Sequence, residues 1–186
     1  MDNMKEKIAD VLREMLNETK LENITVKALC ERAQISRQTF YYHFHDIYDV
    51  VEWIFLSEAE TILAAFDTFD DWQYVYMLIM KWLENHKTLV LNCYRSVQRE
   101  YIETFIDRIL YRYIFHMVDA EAKDARISES QKAFIARFFT LALTGISLDW
   151  IGRGMKDDPN ELVGQVYILL EGDFHKAIHN FERQNR

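Results

Sequence analysis

The sequence predicts an all-α protein. It reads as a small N-terminal three-helix head built around a helix-turn-helix, followed by a larger helical-bundle body, about nine helices together. Three observations predict this. One Pro and five Gly stand in 186 residues; helix interiors tolerate neither well, so their scarcity points to long uninterrupted helices. No segment shows the β-branched alternation between turn signals that marks a strand. Apolar residues instead recur at three- and four-residue spacing along most of the chain.

The helices can be taken in order. Ile8, Val11, Leu12, Met15 and Leu16 form one stripe of a helix over about 3–19. Lys20 to Asn23 interrupts it. Thr25 suits the N-cap of a second helix, 26–32, and Gln34-Ile35 makes a turn. Ser36 caps a third helix whose Phe40 and Phe44 point back to the core at i, i+4. Asp46 caps a long helix over about 47–65, with Asp49 favourable at its positive end. Asp67 to Asp71 is a break, followed by helices near 72–85 and 88–93. The next, 96–122, is apolar too broadly for one-sided burial and is expected to be central. Ser128 and Gln131 have the spacing of a capping box opening a helix to about Gly152. Pro159 suits the first turn of a last helix, 160–181.

Bulk properties narrow the classes. Hydrophobic residues are 49% and charged residues 28%, the balance of a packed core rather than disorder. The formal net charge is -8, of which Met1–Tyr48 carries only -1, so the acid is concentrated in the body. Nucleic-acid binding depends on local charge, and the overall sign does not exclude it. Cys30 and Cys93 lie in apolar helical patterns without a CxxC pair, as buried thiols of a reducing cytoplasm do. No signal peptide is read at the N-terminus, and no stretch approaches the ~20 apolar residues of a membrane span. A cytoplasmic protein is expected. No nucleophile–base pair, phosphate loop or cofactor fingerprint is present, so neither an enzyme nor a cofactor is expected.

The chemistry-bearing stretch is Ser36 to Phe44. Arg37, Gln38 and Thr39 sit in the first turn of its helix, where side chains of a helix-turn-helix reach base edges. Arg suits guanine and Gln suits adenine in bidentate geometry. Tyr41, Tyr42 and His43 follow with donors for phosphate. Thr25 and Lys27 open the preceding helix, whose first N–H groups favour an anion. With Ser36, these nine residues are the candidate DNA contacts. The plainer alternative is that Tyr41 and Tyr42 pack and Arg37 is a solvated charge.

Thr25 to Ala33 followed by Ile35 to Phe44, with its Tyr41-Tyr42-His43-Phe44 block, resembles the DNA-binding head of the TetR family of bacterial transcriptional regulators. The body resembles a subset that includes the dihydroxyacetone kinase operon regulator, at Ile127-Ser128-Glu129, Phe134-Ile135-Ala136 and Trp150 to Met155. The resemblance implies a DNA-binding domain over 1–46 and a regulatory and dimerisation domain over 47–186. It also implies a homodimer, a palindromic operator in double-stranded DNA, and a ligand site in the body. Two positions depart from the family pattern. Gln34 stands where the turn often has Gly, and Ile47 stands where a phosphate-contacting Lys is common.

In the body, Trp53, Trp82, Arg95, Tyr101, Phe105 and His116 are the candidate lining of an effector pocket. A simply filled aromatic core is the alternative; the resemblance to the dihydroxyacetone-type subset implies a protein coactivator as an alternative input. Leu141, Gly145, Leu148, Gly152, Leu162, Val166 and Leu169 are expected at the dimer interface, the two glycines allowing close helix approach. Glu171, His175 and His179 share a helical face, but three ligands without a fourth make a poor metal site, and no metal is expected. The leading expectation is a repressor of a nearby operon, released by a ligand. The alternatives are an activator working with a coactivator, or a helical interaction module that does not bind DNA.

Overall fold

In the computed structural model, residues 3–64, 72–96 and 99–185 are described. Among them run ten α-helices and one short 3-10 turn, with no strand. The helices are α1 (Asn3–Leu16), α2 (Val26–Ala33), α3 (Arg37–His43), α4 (Ile47–Ala64), α5 (Trp72–Asn85), α6 (Lys87–Tyr94), α7 (Arg99–Glu121), α8 (Glu129–Gly152), α9 (Pro159–Leu170) and α10 (Asp173–Gln184); the 3-10 turn is Leu21–Asn23. The expected break at Asp67–Asp71 lies outside the described residues.

The chain divides into two compact units. Met1–Glu60 with His86–Phe105 make the first, and Thr61–Asn85 with Ile106–Arg186 the second. The expected head, 1–46, falls wholly in the first unit, which also takes in most of α4, all of α6 and the start of α7.

The first unit is built on the predicted stripes. Ile8, Leu12, Leu29, Phe40, Val50 and Val51 have no exposure, so α1 to α4 share one apolar core. Burial of such side chains stabilises by about 1.5–3 kcal/mol each. The helix starts follow the caps read from sequence. Thr25 Oγ1 accepts from the Ala28 N–H at 3.2 Å and Ser36 Oγ from the Thr39 N–H at 2.9 Å. Asp46 Oδ1 accepts from the N–H groups of Tyr48 and Asp49, while Asp49 Oδ2 reaches back to the His45 N–H at 2.8 Å. Orphan donors at the α4 start are thereby satisfied at both ends of a reciprocal cap.

In the second unit α5 packs on α9 and α8 on α10. Aromatic rings make the joints. Trp72 stacks with Tyr167 at 6.1 Å between centroids, and Phe139 meets Phe174 at 4.1 Å. A buried polar contact crosses this core, where Tyr76 Oη lies 3.0 Å from Ser147 Oγ and donates to the Leu143 carbonyl at 3.3 Å. Burial pushes the Tyr76 hydroxyl up to about 12, against the lowering effect of Ser147, so it stays a neutral donor.

Two expectations are corrected. The single helix over 160–181 is two helices, because Gly172 adopts φ 76° between Leu170 and Asp173. Glycine takes the left-handed region without a Cβ clash, and the apolar spacing continues past the break, so periodicity alone does not show it. Second, α8 is long and apolar enough by composition to cross a membrane, with mean hydropathy 1.4 over its best 18-residue window, although no segment was expected to approach this. Its interior polar positions, Thr140, Thr144 and Ser147, are uncharged and buried, and 56% of the window is covered within the protein.

Candidate nucleic-acid interface

The turn between α2 and α3 sets the site. Gln34 ends α2 in the left-handed conformation (φ 53°, ψ 47°), and its N–H and that of Ile35 both donate to the Cys30 carbonyl. This arrangement closes the helix end as a glycine would. Ser36 then starts α3 in extended backbone, its hydroxyl also 2.8 Å from Thr39 Oγ1.

On α3, Phe40 is fully buried and Phe44, at its C-cap, nearly so, their rings 6.0 Å apart. With a period of 3.6, anchoring those two positions turns residues 37, 38, 41 and 42 outward. Arg37 and Gln38 are exposed, Tyr41 is 56% exposed and Tyr42 85%. Tyr42 is therefore not a packing residue, while Tyr41 leans edge-on against the buried Phe40 ring at 5.5 Å with more than half its surface still exposed. Thr39 and His43 flank this arc half-buried, and the Tyr42 and His43 rings meet edge-on at 5.0 Å.

The charges of the head are largely spoken for. Arg32 makes a two-pronged contact with Glu18 at 2.6 and 2.7 Å, whose hydrogen bonds hold the Glu18 carboxyl below its ordinary value. Arg13 lies against Glu6 and Asp10. Lys27 is exposed, 3.9 Å from Glu31. Among the described residues Arg37 has no acidic partner within ion-pair distance, which leaves its guanidinium available at the start of α3. Ile47 is 6% exposed and belongs to the core, so its position cannot offer the cation common there. His45, exposed between Phe44 and Asp46, was not singled out from sequence because it falls outside the helical pattern of α3.

The six candidate pocket residues do not share one environment. Arg95 and Tyr101 line separate hollows of the first unit, of about 230 and 180 Å³. Phe105 has no exposure and packs on Phe55 at 5.6 Å. Trp53 is half-buried against the Phe44 ring. In the second unit Trp82 is buried and His116 exposed.

Of the expected interface residues, Leu141 (57% exposed), Leu169 (72%), Gly145 and Gly152 face outward; a Cβ added at Gly145 would meet nothing within 4 Å. Leu148 and Val166 are buried within the chain and Leu162 is half-buried. Phe134, Phe138 and Ile168 are also exposed, at 63, 61 and 74%. Stepping back three and seven residues from Leu141 along the same helical face of α8 would have found the two phenylalanines. Among the described residues no three His, Cys, Asp or Glu cluster for a metal. His175 lies 3.0 Å from Glu121 and His179 4.0 Å from Glu182.

A capped helix-turn-helix with an exposed Arg–Gln–Tyr–Tyr arc, followed by a helical body, defines a class of DNA-binding regulator, and the family models agree. Residues 8–53 match the bacterial regulatory proteins of the tetR family, and residues 70–172 match a transcriptional regulator C-terminal region. The chain belongs to the TetR family of transcriptional regulators. It is 25% identical, over 88% of its length and 86% of the relative's, to the HTH-type dhaKLM operon transcriptional activator DhaS of Lactococcus lactis subsp. lactis (strain IL1403). Among solved structures, the dihydroxyacetone kinase operon activator DhaS is similar with a TM-score of 0.74 and 21% identity, covering 97% of this chain and 99% of that one. The fatty acid degradation regulator FadR from Bacillus halodurans follows at 0.67 and 16%, covering 91% and 95%.

Proposed function

We propose that this regulator binds a palindromic operator as a homodimer in the cytoplasm, each head laying α3 in the major groove. The observation that carries the reading is the outward arc of α3, with Arg37 free of acidic partners among the described residues and Tyr42 85% exposed beside Gln38 and Tyr41. Outward aromatic hydroxyls and a cation on a short, well-capped helix match what a groove demands. In this reading Arg37 and Gln38 contact base edges, Thr39 assists them, and Tyr41, Tyr42 and His43 hold phosphates. Ser36 and Thr25 act mainly by capping, and Lys27 adds a phosphate contact when it leaves Glu31. Residues 1–46 form the reading head and 47–186 the regulatory and dimerising part. The dimer is built on the outward face of α8 and α9, at Leu141, Gly145, Gly152 and Leu169 with Phe134, Phe138 and Ile168.

Repression of a nearby operon with release by a small molecule is the first form of control. An effector that prefers one separation of the two heads moves them off the one-turn half-site spacing of about 34–36 Å. A specific observation favours a second form, activation, since the relative matched over 88% of the chain is an operon activator. A protein coactivator would then supply the input.

Binding is tested by fluorescence titration of the full-length protein against duplexes from its own upstream DNA at several salt concentrations. Arg37→Ala and Gln38→Ala should each weaken the specific duplex by about 1–3 kcal/mol and leave unrelated DNA almost unchanged. Wild-type affinity in both variants overturns the assignment of α3. A folded dimer with no binding at low salt leaves only the protein-interaction reading. A promoter fusion with and without the protein then distinguishes repression from activation.

A further inference from the structure

We propose that the hollow between the 3-10 turn and α6 is a binding site for a small anion, a carboxylate or phosphate monoester. It is lined by Lys20, Leu21, Glu22, Leu91, Asn92, Arg95 and Ser96 and holds about 230 Å³. Pockets for drug-sized ligands run to about 300–1,000 Å³, so the occupant is small. Its walls come from two segments 71 residues apart, joined where the Leu21 N–H donates to Asn92 Oδ1 at 3.2 Å. Asn92 is itself held by its amide, which donates to the Thr88 carbonyl at 2.9 Å. The polar wall is thus fixed before any ligand arrives, and preorganisation lowers the cost of binding.

Charge decides the ligand class. Lys20 and Arg95 bring two cations and Glu22 one carboxylate, leaving the lining one positive charge in a chain of net charge -8. Lys20 and Glu22 are only loosely paired at 3.8 Å, both well exposed, and such a pair is worth little. Among the described residues, Arg95, at the C-cap of α6, has no acidic partner within ion-pair distance. A guanidinium and an ammonium lining one hollow are donors suited to carboxylate or phosphate oxygens. An anion held there braces the lead-in to α2 against α6.

The test is isothermal titration of the full-length protein with inorganic phosphate and, separately, acetate, at matched ionic strength. Saturable binding of one anion per chain is expected. Arg95→Ala and Lys20→Ala should each weaken it about tenfold, the size of one charge-assisted hydrogen bond. Both positions are exposed, so circular dichroism should stay unchanged, and Lys123→Ala in the second unit should bind as wild type. No saturable uptake of either anion, or equal uptake in all variants, overturns the site. A third arm measures binding to unrelated duplex DNA against salt. If Arg95→Ala lowers that slope by about one contact while phosphate uptake is absent, the two cations serve the DNA backbone and the proposal fails.

Discussion

Gln34 shows how one residue carries both the motif and a cost. The turn between α2 and α3 needs a left-handed residue, and Gln34 supplies it at φ 53°. An L-residue there is strained by about 1–2 kcal/mol, while glycine adds about 0.4–1 kcal/mol of unfolded-state entropy. Gln34→Gly is therefore expected to raise stability by up to about 1 kcal/mol, read as a higher urea midpoint at unchanged slope. A lower midpoint would mean that the exposed Gln34 side chain contributes something this geometry does not show. The family resemblance made the need for a special turn residue legible, because the turn often has Gly where Gln34 stands. It did not reveal the dihedral, which depends on the Cys30 carbonyl accepting from both Gln34 and Ile35. Ile47 was legible as a missing cation, but only burial explains why no cation sits there.

Helices were legible where an end carried its own chemistry. The Ser128–Gln131 pair forms a full capping box, with the Ser128 N–H donating to Gln131 Oε1 at 2.8 Å and the Gln131 N–H to Ser128 Oγ at 3.2 Å. Gln131 also exchanges hydrogen bonds with Asn185, which donates in turn to the Arg126 carbonyl. Ser128→Ala removes the side-chain acceptor and should cost about 1 kcal/mol of stability by chemical denaturation. A variant as stable as wild type would show that solvent caps α8 equally well. The division of α9 from α10 was not legible, because Leu169, Leu170, Phe174 and Ala177 keep helical spacing across a glycine that periodicity treats as one more helical residue.

At the scale of the whole molecule, exposed apolar area is the outstanding feature. Phe134, Phe138, Leu141, Ile168 and Leu169 all exceed half exposure, and large outward apolar side chains of this kind are what the proposed association face presents. Ile168→Glu combined with Leu169→Glu is expected to give a monomer in sedimentation at micromolar concentration, with helical content largely kept. Operator affinity should fall with it, because one head alone forfeits the second half-site. A stable dimer in that variant would move the interface elsewhere. Which expected interface residues face outward was only partly legible, since Leu141 and Leu148 are equally apolar in sequence while packing turns the first outward and buries the second.

By itself the sequence determined the helical class, the helix-turn-helix and the family, because these rest on local signals: apolar spacing, side-chain caps and a short motif of fixed register. Tertiary structure decided which side of each helix is covered. It buried Ile47, Leu148 and Val166, left Tyr42 and Leu169 in solvent, and placed Arg95 and Tyr101 in different hollows. That choice depends on how distant segments pack, and no window of neighbouring residues contains it.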